Sequence, residues 1–184
     1  MVAAMSKPKS KKEVRPKGEE SAPGGPLGPG VQYAALPYRR ADELEILLVT
    51  SRETRRWVIP KGWPMKGRKP HAAAAQEALE EAGVLGRIEK QPMGFYQYYK
   101  RLAGGLERRC VVQVFPLEVE RQLERWPEQH ERESRWFSAD LAAAAVDEAE
   151  LSDLIHIFQL LMFGEPNEGE DLVLAEARAS PVLK

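Results

Sequence analysis

The segment from Gly62 to Val84 constrains this chain more tightly than any other stretch. Pro70 suits the first turn of a helix, where its missing N–H costs no hydrogen bond, and Gly83 suits the left-handed position that closes one. Between them Ala74, Ala75, Ala78 and Ala82 form a stripe of small residues that lets the helix lie close against a sheet. Glu77, Glu80 and Glu81 recur at spacings of three and four, which puts all of them on another face of the same helix. Like charges so close repel, so the pattern asks for a positive counterpart. A hard divalent cation takes carboxylate oxygens, and Mg²⁺ is commonly held by a few carboxylates together with substrate phosphates. On its own, three glutamates on a helix read most simply as a solvated acidic face. The Pro60-Lys61-Gly62 turn before the helix and Gly83-Val84 after it argue for a site instead.

In that setting the segment resembles the Nudix box, G-x5-E-x7-R-E-U-x-E-E-x-G-U, where U is aliphatic. Gly62, Glu77, Ala78, Glu80, Glu81, Gly83 and Val84 fall on the pattern in register. Two positions depart from it: Arg68 stands where the first Glu is expected, and Gln76 where the Arg is expected. The run Arg56-Trp57-Val58-Ile59-Pro60-Lys61-Gly62 and the later Arg135-Trp136-Phe137 agree with the family as well. The likeness extends from about Val31 to Phe163 and is strongest to the diphosphoinositol and dinucleoside polyphosphate hydrolases.

The resemblance implies an α/β fold, a Nudix-type α/β/α sandwich with a mixed β-sheet between helices. It implies hydrolysis of a diphosphate linkage by water with Mg²⁺ or Mn²⁺. Carried over by position, it makes Glu80 and Glu81 metal ligands, Glu77 a ligand or the base, and the Gly62 backbone carbonyl a further ligand. Some members take the base from the loop before the last strand. Here Glu128, Glu131 and Glu133 precede Arg135, and Glu131 is the expected choice, although each taken singly reads more readily as a solvated loop charge. The chemistry makes sense without the name: attack on an anion needs charge neutralisation, an oriented water and a stabilised leaving oxygen.

The departures have physical consequences. The family's box arginine orients catalytic carboxylates through charge-assisted hydrogen bonds, which are roughly twice as strong as neutral ones. Gln76 keeps a donor and loses the charge, so the site is expected to lose order more than metal affinity. Arg68 exchanges an auxiliary carboxylate for a phosphate binder. Two readings follow: a working hydrolase, or a catalytically weak Nudix module that binds a nucleotide or polyphosphate in a regulatory role.

Charge placement bears on substrate. Arg52, Arg55, Arg56, Lys61, Lys66, Arg68 and Lys69 crowd one stretch in which Glu53 is the one acid, and Lys100, Arg101, Arg108 and Arg109 flank a predicted hairpin turn. Gathered at a site, the first set would bind a phosphate-rich small molecule, such as an inositol pyrophosphate or a dinucleoside polyphosphate, or a 5′-triphosphate RNA end. The hairpin set reads equally well as scattered surface charge. Tyr96, Tyr98, Tyr99, Phe95 and Trp63 offer stacking faces, but strand aromatics more often pack than bind bases. His71, His130 and His156 lack metal-site spacing.

With 184 residues, 43% of them hydrophobic, the chain is expected to hold one domain over 31–163 between a basic, Pro/Gly-rich tail at 1–30 and a polar one at 164–184. A net charge of −1 implies no general affinity for nucleic acid or membrane, and no apolar run reaches transmembrane or signal-peptide form. The single Cys110, in an apolar alternation, reads as a buried strand residue and suits a reducing cytoplasm. Alternation predicts strands at 31–36, 45–50, 57–59, 95–100, 109–119 and 135–137, with an extended piece at 87–90. Ser138 is placed to cap a helix, and Leu151, Leu154, Ile155, Phe158 and Met162 mark the buried side of a last one.

Overall fold

The computed structural model describes residues 28–102 and 105–163, so both expected tails and the tip of the predicted hairpin lie outside the described residues. The elements run β1 (Gly30–Arg40), β2 (Leu44–Thr50), β3 (Trp57–Val58), β4 (Lys61–Gly62), α1 (Pro70–Ala82), β5 (Val84–Ile88), β6 (Gly94–Arg101), β7 (Glu107–Gln122), β8 (Ser134–Ser138), α2 (Ala139–Ala145) and α3 (Ala149–Phe163). Among the described residues all the strands join one mixed sheet. Its centre is a parallel pair, β1 with β7, in register from Gly30↔Cys110 to Tyr38↔Glu118. On its other edge β1 pairs antiparallel with β2 near its end and with β4 near its start. The long β7 likewise serves β6 with its first half and β5 with its second.

Helices cover both faces of this sheet, giving the sandwich that the box implied. Along β2, Ile46 and Leu48 point to one core with Ala142, Leu151, Ile155 and Phe158 of α2 and α3. Leu47 and Val49 point to the other, with Ala74, Ala78 and Ala82 of α1. A strand buried on both faces needs a continuous apolar run, which is what Ile46-Leu47-Leu48-Val49 supplies.

Helix α1 starts and stops as its sequence directs. Pro70 occupies the first turn, and Gly83 closes the helix at φ 69° and ψ 21°. A Cβ at Gly83 would also meet the Trp126 ring at 2.6 Å. The stripe against the sheet is Ala73, Ala74, Ala78 and Ala82, all fully buried, while Ala75 is only partly so. No helix among the described residues is long and apolar enough to cross a membrane.

Several boundaries differ from expectation. Strand β1 continues through Arg39 and Arg40, read as loop residues, because Arg39 lies opposite Glu45 and bonds it at 2.5 Å. Strand β5 begins directly after Gly83 rather than at Arg87. The two-residue β4 is too short to show an alternation, and only its pairing with β1 creates it. Ser138 does sit at the N-cap of α2, yet makes no side-chain capping bond.

Candidate active site

Pairing of β4 with β1 sets Gly62 opposite Tyr33 and directly under α1. A Cβ on Gly62 would fall 2.2 Å from the carboxyl carbon and Oε1 of Glu77. The carboxylate therefore lies against bare backbone, and only glycine leaves it that place. One helical turn on, Glu80 accepts a hydrogen bond from the Gln76 amide at 2.9 Å.

The other end of α1 is wrapped by the segment that follows β7. A helix leaves its last carbonyls without intrahelical donors. Here Glu128 N–H donates to Glu80 O at 3.0 Å, the Trp126 indole to Glu81 O at 3.3 Å and the Gln122 amide to Ala82 O at 3.4 Å. These bonds hold the 122–128 chain against the carboxylate end of the helix. From the same loop Arg132 donates Nη2 to Glu81 Oε1, Nε to Glu128 at 2.8 Å and Nη1 to Thr50 O at 3.0 Å. The Arg132 and Glu81 side chains are 8% and 7% exposed, so this is a buried ion pair. The second Glu81 oxygen accepts the Lys61 backbone N–H at 3.1 Å. Burial pushes the Glu81 carboxyl up from the ordinary carboxylate range, while the charges of Arg132 and Lys61 pull it back.

A cavity of about 1510 Å³ opens over these groups. Its lining includes Gly62, Gln76, Glu77, Glu80, Glu81, Glu128 and Arg132, and also Lys66, Arg68, Tyr99 and Lys100. The sequence-predicted carboxylates thus meet in one place, though the expectation that their whole face stays out of the interior does not hold for Glu81, 5% exposed. Among the described residues no three His, Cys, Asp or Glu side chains close into a metal-holding group. The donors still fit Mg²⁺, which needs only one or two carboxylates and completes its shell with water and substrate phosphate. Glu77 seated in the Gly62 cradle, with Glu80 on the same cavity wall, meets that need.

The cations divide. Arg52 lies 3.3 Å from Glu131 and 3.9 Å from Glu128. Arg56 pairs with Glu148 at 3.0 Å and Asp147 at 3.5 Å. Arg55, at φ 57°, bonds the Glu131 carbonyl and the Glu133 carboxylate and stands outside the cavity lining, as does the exposed Lys69. Burial pushes the Lys61 ammonium below the ordinary lysine range, and it lies 5.5 Å over the Tyr98 ring. Lys66 and Arg68 are exposed and line the cavity; Arg52 does so too, but it is paired with Glu131 and Glu128. Glu131, the expected base, is also outside the lining and engaged by Arg52; the loop carboxylate that reaches the cavity is Glu128.

The aromatic candidates divide too. Tyr96 is in the core, and Tyr98 donates its hydroxyl to Gln32 at 2.7 Å. Trp63 has the Lys100 ammonium at 5.2 Å and the Arg108 guanidinium at 5.3 Å over its ring, so cations already occupy it. Tyr99, 65% exposed, is the aromatic left open beside the cavity. Cys110 is fully buried and its thiol is pushed up by burial, which suits packing and not nucleophilic attack.

Sequence reasoning did not single out Arg132, and it preferred Glu131 where Glu128 is the loop carboxylate that lines the cavity. The signal for Arg132 was available: an uncharged residue at 76 asks where the charge comes from, and Arg132 is the cation within the acidic loop 128–133.

The profile of the NUDIX domain matches residues 28–157. The chain belongs to the Nudix hydrolase family. Among its relatives, the Arabidopsis thaliana protein named Nudix hydrolase 18, mitochondrial, is 33% identical over 152 residues, covering 76% of this chain and 84% of its own. Diphosphoinositol polyphosphate phosphohydrolase 3-alpha of Mus musculus is 28% identical over 159 residues, covering 85% and 93%. The crystal structure of C. elegans Ap4A hydrolase matches with a TM-score of 0.54 at 21% identity, over 73% of this chain and 98% of that one, and so shares the Nudix fold. Nudix hydrolases act on phosphoric anhydrides, and this Nudix chain is a hydrolase of that class.

Proposed function

We propose that this Nudix hydrolase cleaves a diphosphate linkage in a phosphate-rich small molecule, a dinucleoside polyphosphate or an inositol pyrophosphate, with Mg²⁺ or Mn²⁺. A 5′-triphosphate RNA end belongs to the same chemical class. The observation that carries the reading is the Glu77 carboxylate seated on Gly62 in a cavity that also bears Glu80, Glu81 and exposed cations. The names of the mouse and nematode relatives support the substrate class.

Glu77, Glu80 and Glu81, with the Gly62 carbonyl, would hold the ion. When bound, the ion neutralises the phosphates and makes a water easier to deprotonate. Glu128 faces the cavity and is the loop carboxylate we assign to accept that water's proton; Glu77 is the second candidate. The water oxygen attacks phosphorus, the anhydride P–O bond breaks, and the leaving oxygen departs with its phosphate. Gln76 orients Glu80, and Lys66 and Arg68 bind the outer phosphates. Arg52, Arg55, Arg56, Lys61 and Lys69, expected as binders, are not assigned to the phosphates, because the three arginines are paired with carboxylates, Lys61 is desolvated and Lys69 stands outside the cavity lining.

A second reading, a catalytically weak module that binds a polyphosphate, is favoured by the uncharged Gln76 and the engagement of both Glu81 oxygens. For compartment, the buried single Cys110 favours a reducing cytoplasm, while the plant relatives named mitochondrial make that organelle the alternative. The deciding experiment is phosphate release with Mg²⁺ across diadenosine polyphosphates, inositol pyrophosphates, ADP-ribose and triphosphate-ended RNA. Turnover that disappears in Glu80→Gln supports the hydrolase. Tight binding without turnover in the wild type supports the second reading.

A further inference from the structure

The family pattern places one arginine at the position Gln76 occupies, and the chain carries no positive charge there. The work is divided between two residues in this fold. Gln76 reaches Glu80 and stops, with its amide 2.9 Å from Oε1. Glu81 receives its cation from outside the box, from the Arg132 guanidinium. All three donating nitrogens of Arg132 are used, and each partner belongs to the site or its frame: Glu81 on α1, Glu128 on the loop and Thr50 O at the end of β2.

A buried ion pair is a poor way to gain stability, because an apolar replacement of similar volume is often neutral or stabilising. A planar fork that fixes two carboxylates at once is, by contrast, a good way to gain geometry. Orienting groups behind metal ligands commonly govern both affinity and rate.

We propose that Arg132 is a positioning residue that takes over the role of the absent box arginine, holding Glu81 in place for the metal and Glu128 for the water. This rests on the hydrolase reading above, with the box carboxylates as the metal-binding face. Arg132 touches neither substrate nor ion; it acts through the two carboxylates. A purely structural pin between the 128–133 loop, α1 and β2 would leave metal binding unchanged once the variant is folded. It would also gain nothing from a charge restored at position 76, which lies on α1 and makes no bond to that loop.

The test compares the full chain as wild type, Arg132→Met, Arg132→Lys and the double variant Gln76→Arg/Arg132→Met, each checked for folding by circular dichroism and thermal melting. Mn²⁺ alone is titrated by calorimetry, and kcat and KM are measured on diadenosine tetraphosphate and on whichever anhydride of the panel turns over fastest. The expected result for Arg132→Met is a loss of about 10–100-fold in Mn²⁺ affinity and in kcat, with KM little changed. Arg132→Lys, which keeps the charge without the fork, should fall between, and the double variant should recover most of the loss. Wild-type Mn²⁺ affinity and kcat in a folded Arg132→Met overturn the proposal. So does a folded double variant no better than Arg132→Met. If Arg132→Met does not fold, Arg132→Lys and the double variant decide in the same way. A wild type that binds Mn²⁺ but turns over no substrate sinks the hydrolase reading alone, and the Mn²⁺ affinities then decide the role of Arg132. A wild type that binds no Mn²⁺ sinks both.

Discussion

Two stretches of the cavity lining are rich in cations, and they use them differently. In the stretch built by the turn after β2 and the loop before β8, the arginines are committed: Arg52 to Glu131 and Glu128, Arg56 to Glu148 and Asp147, Arg132 to Glu81 and Glu128. In the stretch built by the box loop and the end of β6, Lys66 and Arg68 are exposed, and Lys100 stands over Trp63. The difference is that carboxylates of the loop before β8 and of the α2–α3 link lie against the arginines of the first stretch, which a count of lysines and arginines does not register. In the function proposed above, the first stretch organises the carboxylates and the second meets the phosphates. Substitutions in the first should therefore act on kcat, and those in the second on KM and salt dependence.

The largest effects are expected where the carboxylates themselves change. Glu80→Gln should lower turnover by about 10²-fold or more, the contribution of a well-placed catalytic group, while the melting temperature stays near that of the wild type. Near-normal turnover at limiting Mg²⁺ would remove Glu80 from the metal face. Gly62→Ala comes next. Its Cβ would fall 2.2 Å from the Glu77 carboxyl, so Glu77 must shift, and a misplacement of about 1 Å can cost about 10²-fold in rate. Full kcat in a folded Gly62→Ala would show that Glu77 does not need that seat.

Effects in the second stretch should be smaller. Lys66→Ala with Arg68→Ala should raise KM by several-fold, roughly the weight of a few exposed charge contacts, with kcat preserved. The penalty should grow with the number of phosphates on the substrate and shrink in high salt. An unchanged KM for every substrate would mean that these exposed charges are ordinary surface.

The smallest effect concerns Lys61, which lies between the two stretches. Burial lowers its pKa, so the folded protein gives up a proton at a pH where the unfolded chain still holds it, up to about 10.4. In that window the unfolded state binds more protons, and stability rises with pH. Urea denaturation of wild type and Lys61→Met across the alkaline range should show a difference that grows in favour of the wild type and then levels. A flat difference would mean that the ammonium is not desolvated in solution.

Much of this was legible in advance because local rules and tertiary packing agree. Pro70, the alanines and Gly83 specify α1 by themselves, and a box of fixed register put Gly62, Glu77, Glu80 and Glu81 in one place. What stayed illegible depends on long-range pairing. The strand β4 exists only because β1 offers an edge beside it. Glu128 and Glu131 are three residues apart, and nothing local says which one faces the cavity. The bond from Glu128 N–H to Glu80 O decides it, since it turns the loop so that Glu128 faces in and Glu131 faces Arg52. The same fold pairs Arg52, Arg55 and Arg56 with loop carboxylates, which their crowding in sequence does not foretell.

The most direct test of the two-stretch account is one set of steady-state curves, with Arg132→Met and the Lys66→Ala/Arg68→Ala pair measured beside the wild type on the best anhydride substrate. The account predicts that kcat falls and KM holds in the first variant, and that KM rises and kcat holds in the second. The same parameter moving in both would contradict it, because the paired and exposed cations would then be doing the same work.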